Sequence, residues 1–217
     1  MTKGFGVAAV VALFLLLTLG CGGSGGGSAT PNTTVYSTAK LTSLATGNSF
    51  TLNLTGSDTL GGTYTGSFQS VVTGPTVVNG VNVIEKQAII NITRTGSGTS
   101  SLIADYYYNS DGSTYGYVTN TGESCVSTSS VVMPSTVTVG YFGAGPSMSC
   151  NNGTVFTSTW QVQDGGNGNA NVIVTLNFNS ATSETATYVL SPSGDIVGVT
   201  MMLYNDPSGA NTTLTGS

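Results

Sequence analysis

The amino-acid sequence predicts an all-β fold of antiparallel strands, about 10–12 of them, forming a sandwich, a barrel or one large curved sheet. Three observations carry this. Apolar residues alternate with small polar ones over many short runs, the period of strands whose successive side chains face opposite ways. Turn residues stand between the runs. Outside the first 20 residues no long window sustains helical spacing, while Gly and β-branched residues abound.

In Ser49–Thr55 the alternation puts Phe50, Leu52 and Leu54 on one face. Phe156, Trp160 and Val162 share another face, with Thr157, Thr159 and Gln161 opposite them. The apolar row predicts that Trp160, the single tryptophan, points into the core. Val172, Val174, Leu176 and Phe178 form a third row, and Val197, Val199, Met201 and Leu203 a fourth. Asp111-Gly112 predicts a hairpin between 102–109 and 113–119, and Ser193-Gly194-Asp195 another between 185–190 and 196–204. Asn79-Gly80, Asn152-Gly153 and Asp164-Gly165-Gly166 predict further turns.

Residues 1–20 read as a targeting segment. Lys3 supplies a positive start, and Val7–Leu19 is apolar except for Thr18, too short to span a bilayer comfortably. Leu17-Thr18-Leu19-Gly20-Cys21 follows. It resembles the lipobox of bacterial lipoproteins, with Gly20 and Cys21 matching and Thr18 standing where that family usually has Leu. The resemblance implies cleavage before Cys21, a lipid on its sulfur, and attachment to a membrane. Gly22 rather than Asp after the cysteine implies, by the same resemblance, the outer membrane of a two-membrane bacterium, facing the periplasm or the surface. Residues 21–33, rich in Gly and Ser, form a flexible tether with a span of roughly 20 Å. Residues 34–217 are then one β domain. The whole is similar to bacterial lipoproteins that carry a Gly/Ser tether and a Thr/Ser/Gly-rich β domain.

After Cys21 the chain has three basic residues, Lys40, Lys86 and Arg94, against nine acidic ones. That balance neutralises no phosphate backbone and excludes a nucleic-acid partner. Only 6% of the residues are charged, and Ser, Thr, Asn and Gly take the polar positions. Cys125 and Cys150 remain as an even pair in an exported chain, which predicts a disulfide. Two free thiols, or half of a metal site, would need further ligands.

The chain has no histidine, so Ser-His-Asp and Cys-His catalysis and His-ligated metals are excluded. No cofactor is expected. Asp105, Asp111, Glu123, Asp164 and Glu184 are the candidate acids for glycoside chemistry, which depends on their separation in space. Asp164–Asn171 is an Asn/Gly-rich stretch that could wrap calcium, but a turn explains it without metal. Tyr106, Tyr107, Tyr108, Tyr115, Tyr117, Tyr141 and Phe142 concentrate aromatics. Tyr106, Tyr108, Tyr115 and Tyr117 are a possible binding row, with cross-strand packing as the competing role.

These observations lead to an envelope protein with a binding or structural role, not an enzyme, with an envelope protein or a glycan as partner. Two alternatives stand beside it. A carrier of apolar ligands would show a hollow sheet. A carbohydrate-active enzyme would show paired carboxylates in a cleft.

Overall fold

Alternation becomes geometry strand by strand. The computed structural model describes residues 34–178, 183–203 and 211–217; the targeting segment, Cys21 and the tether lie outside them. The chain enters through β1 (Tyr36–Ser37) and one helical turn, α1 (Ala39–Thr42). There follow β2 (Ser49–Asp58), β3 (Thr63–Val78), β4 (Val81–Arg94), β5 (Thr99–Tyr108), β6 (Thr114–Thr119) and β7 (Ser124–Ser127). After the short β8 (Thr136–Val137) come β9 (Phe142–Cys150), β10 (Val155–Gly166), β11 (Asn169–Phe178), β12 (Ser183–Leu190), β13 (Ile196–Leu203) and β14 (Thr212–Gly216).

Twelve strands close into an antiparallel barrel in the order β10-β11-β12-β13-β14-β2-β3-β4-β5-β6-β7-β9, while β1 pairs with β8 in a separate two-stranded sheet. Of the three architectures open to an alternating sequence, the chain adopts the barrel. Closure removes every sheet edge from the barrel wall. Hydrogen bonding between β14 and β2 joins the end of the chain to its beginning.

The apolar rows turn inward. Leu52, Leu54, Phe68, Ile90, Tyr106, Tyr117, Phe156, Trp160, Val174, Leu176, Tyr188 and Met201 belong to one buried core. The outer wall is almost free of charge. One cross-strand rank runs Thr187, Thr200, Thr215, Thr55, Thr65, Thr93 and Thr99 over seven successive strands. Each of these threonines is exposed or half-buried. Such pairs suit the pleated surface and hydrate it through hydroxyls. Apolar inside and polar outside is the reverse of a barrel whose wall faces lipid.

A barrel of about eight strands is filled by its own inward side chains, and twelve enclose more space than those can fill. The entry segment and the 128–141 segment supply the difference. Tyr36, Leu41, Met133 and Val137 all join the core. Tyr36 donates its hydroxyl to Gly168 O at 3.0 Å, and Thr38 donates its hydroxyl to Pro134 O. Lys86, buried on β4, donates from Nζ to Leu41 O at 2.7 Å. The two segments plug the end of the barrel that carries the β3–β4, β5–β6, β10–β11 and β12–β13 turns. At the opposite end Asp58 ties the β2–β3 turn, accepting from Gly62 N at 2.7 Å, Tyr64 Oη at 2.8 Å and Arg94 Nε at 2.9 Å.

Two rows depart from strict alternation, each at a bulge. Gly198 pairs with Val189 but Ile196 with Leu190, so Val197 swings out and is exposed while Val199 and Met201 stay inside. Thr114 pairs with Tyr108 and Gly116 with Tyr107, which leaves Tyr115 as an extra residue. It therefore faces outward, opposite to Tyr117. The Asn79-Gly80 turn has the two positive φ angles, 51° and 79°, of the tight hairpin its sequence predicts.

Candidate functional site

Three groupings emerge from the barrel: a groove on its outer wall, the tyrosine cluster, and an acidic pair at the end opposite the plug.

The groove lies across β9, β10 and β11. On β9, Ser147 pairs with Thr157 but Ala144 with Thr159, so Gly145-Pro146 is one residue more than β10 can match. Proline has no N–H for the ladder, which favours a bulge there. Ser158 on the partner strand donates its hydroxyl to Pro146 O at 3.1 Å and holds the bulge in place. Beyond it, Gly143 and Ala144 carry almost no side chain, and the wall sinks. The resulting hollow has a volume of about 560 Å³, with Phe142, Thr159, Gln161, Ile173 and Thr175 around Gly143 and Ala144 and with Trp160 contributing to its lining. Phe142 is 51% exposed and lies directly across from Gln161 on β10, and Thr159 lies across from Thr175. An aromatic face, an amide and hydroxyls thus border a concave surface with no ionisable group in its lining.

The tyrosine row is corrected by burial. Tyr106, Tyr108 and Tyr117 are core residues, with the tilted rings of Tyr106 and Tyr117 5.4 Å apart between centroids. Only Tyr115 faces outward, so the four form no common surface. The more exposed members of the aromatic concentration are Tyr141 and Phe142, each about half exposed. The signal for this was present in sequence, since Gly-Ala-Gly-Pro follows Phe142 and marks a depression beside an aromatic.

The five acids separate. Asp105 accepts from the Gln87 amide at 2.8 Å across neighbouring strands. Asp111 accepts from Ser113 N and Ser113 Oγ within its turn. Asp164 accepts from Gly166 N at 2.9 Å, and Asn167 and Gly168 adopt positive φ, so the Asn/Gly-rich stretch is a hairpin turn. Glu123 and Glu184 lie near enough for the charge of one to act on the other. Tyr117 Oη donates to Glu123 Oε1 at 2.6 Å, and Asn152 Nδ2 donates to Glu123 Oε2 at 3.1 Å. Glu184 is buried on β12, and its Oε2 has no partner among the described residues. Burial first, and the nearby charge of Glu123 second, push its carboxyl up to about 8. Burial thus favours the protonated form of Glu184, and neither acid contributes to the groove.

Beside this pair, Cys125 on β7 and Cys150 on β9 are direct cross-strand partners and form the expected disulfide. Glu123 and the two sulfurs lie within 4.8 Å of one another. With the sulfurs bonded to each other the group lacks the thiolates a soft metal takes. Lys86, unremarkable in the sequence, was not foreseen as a buried amine bonded to the plug.

Fold and site together define a filled, antiparallel β-barrel with a neutral polar wall and a shallow groove across β9, β10 and β11. Comparison with protein-family models, with curated proteins and with solved structures found no match for the chain.

Proposed function

We propose that this chain is a lipid-anchored binding protein of the bacterial cell envelope, and that its groove across β9, β10 and β11 takes a neutral glycan. The observation that carries the reading is the groove itself. A half-exposed Phe142 stands beside Gln161, Thr159 and Thr175 in a hollow with no ionisable lining. An aromatic face packs against the C–H face of a sugar ring, while amide and hydroxyl groups exchange hydrogen bonds with its hydroxyls. The absence of charge in the lining favours an uncharged ligand.

Of the three roles left open by the sequence, binding has the most support. Tyr36, Leu41, Met133 and Val137 occupy space that a carrier of apolar ligands would keep for its cargo. Glu123 and Glu184 stand apart from the groove, which weakens a hydrolytic role. Anchoring rests on Gly20-Cys21 after the apolar run, with the outer membrane as the destination implied by Gly22.

Titration calorimetry of the mature chain with maltohexaose, cellohexaose and chitohexaose tests the groove. At least one should bind, and Phe142→Ala and Gln161→Ala should each weaken it about tenfold or more. Failure of all three sugars at millimolar concentration, or equal binding by the Phe142→Ala variant, would overturn the glycan reading. Metabolic labelling with a fatty-acid probe tests the anchor, since Cys21→Ser should lose the label entirely.

A further inference from the structure

The longest strands of the barrel overrun it. β2 pairs with β3 only as far as Val71, and β5 pairs with β4 only from Ile84 onward. Beyond those rungs, from Gly74 to Val83, the two strands pair with each other alone. Gly74 and Val83 are still buried at its base, so the ribbon stands clear of the barrel only from Pro75 to Asn82 and reaches roughly 10 Å outward. Its base is held, because Gly74 packs against the Thr46 side chain and Thr73 donates its hydroxyl to Glu85 Oε1 at 3.0 Å.

The ribbon has an unusual composition for a projecting hairpin. Residues 71–84 contain no charge. At the tip, Val77 is 63% exposed and Val81 39%, with Val78 half-buried between them. Projecting strands with free edges normally carry lysine or other charges that keep them from other surfaces. Here Pro75 alone blunts an edge, and the tip is valine.

Position in the fold says what covers it. The tip lies at the plugged end of the barrel, where the described chain begins. Ser37 packs against Gly194 in the β12–β13 turn, and Tyr36 bonds to Gly168 in the β10–β11 turn, both at that end. Residues 22–33 separate this entry point from Cys21, a length for which a Gly/Ser-rich stretch is expected to span roughly 20 Å. A stretch of that expected span lets the ribbon reach the surface that holds the lipid. Val35, at the entry itself, is also exposed, at 57%.

We infer that the β3–β4 hairpin is a second membrane contact, its valine tip entering the interface of the bilayer that holds the lipid and setting the barrel upright with its plugged end down. The inference rests on the anchoring proposed above. Only the inward-facing backbone groups of the ribbon are paired across it, and its outer edges stay hydrated, which confines the contact to the headgroup zone and keeps it out of the hydrocarbon. Asp111, Asp164 and Asp195 occupy the other turns of the same end and keep the rest of the rim off anionic lipid. A zwitterionic bilayer is accordingly the proper probe.

The test uses the full lipidated chain in phosphatidylcholine vesicles. With Cys21 lipidated and Cys125–Cys150 bonded, Val77→Cys provides one free thiol for an environment-sensitive NBD dye. Leu60→Cys, 64% exposed in the β2–β3 turn at the opposite end, provides the control. The dye at 77 should brighten several-fold, shift blue and resist aqueous dithionite, while the dye at 60 should behave as in water. Adding Val81→Asp should return the dye at 77 to the aqueous signal. Vesicles that float with the protein but leave the dye at 77 as wet as that at 60 would overturn the hairpin contact alone. Protein that does not float at all would remove the anchor and the hairpin contact together.

Discussion

Lys86 Nζ donates a 2.7 Å hydrogen bond to the carbonyl oxygen of Leu41, joining the inner wall of β4 to the helical turn that plugs the barrel. Lys86 is buried, and its amine is pushed down to about 7 by that burial. A cation so enclosed weakens the fold more than its one bond to a carbonyl repays. The bond is the one polar tie that Lys86 makes from the barrel wall to the plug.

Lys86→Met should therefore raise stability at pH 6 by about 1–3 kcal/mol while loosening the plug. Urea unfolding measures the first effect. Hydrogen exchange measures the second, as faster exchange at residues 38–44 with the β10–β13 amides unchanged. Slower or equal exchange in 38–44 would refute the tie.

Two buried groups with opposite shifts predict an unusual pH profile. Between about 4.5 and 8 the folded chain keeps a proton on Glu184 that the unfolded chain has released, so stability falls as pH rises. Between about 7 and 10.5 the unfolded chain keeps a proton on Lys86 that the folded chain has given up, so stability rises with pH. Stability should pass through a local minimum near pH 7–8. Glu184→Gln should flatten the acid limb and Lys86→Met the alkaline limb, both read from unfolding midpoints across pH. A maximum near pH 7–8 in the wild type would contradict the assignment.

The disulfide closes a loop with a sequence separation of 25, between strands already adjacent. The chain-entropy model gives it roughly 3–4 kcal/mol. Replacing both cysteines by serine should lower stability by about that much with the strand content kept, as denaturant unfolding and circular dichroism would report. Mass spectrometry of an unreduced digest should recover the two peptides linked.

Trp160 is 3% exposed, and its Nε1 has no partner among the described residues. Emission from this single tryptophan should be blue-shifted and poorly quenched by iodide. Trp160→Ala should cost about 3–5 kcal/mol, and Trp160→Phe about 1 kcal/mol, because phenylalanine refills most of the space and removes the unsatisfied donor. A fully hydrated emission maximum in the native protein would exclude the buried position.

The candidate site was only partly legible in advance. Thr159 and Gln161 were assigned to the solvent face by the period of two, and Phe142 entered only as one member of the aromatic concentration. That these residues border one hollow depends on the extra residue at Gly145-Pro146, whose effect appears only once β9 is laid against β10. The tyrosines show the reverse. Period two puts Tyr115 and Tyr117 on one face, and the bulge at Tyr115 separates them.

By itself the sequence determined the class of the fold, the inward and outward faces of most strands, the tight turns and the pairing of Cys125 with Cys150. Each follows from interactions between near neighbours, or from there being only one partner left. Closure was beyond it. An alternating strand is equally content in a sandwich, an open sheet or a barrel, because each buries one face and hydrates the other. The barrel is chosen by contacts between distant residues, β14 with β2 and β7 with β9. Twelve strands then leave a space that their own side chains do not fill. That space draws in the entry segment, puts Lys86 against Leu41, and gives the molecule a plugged end and an open choice of what to present at the other.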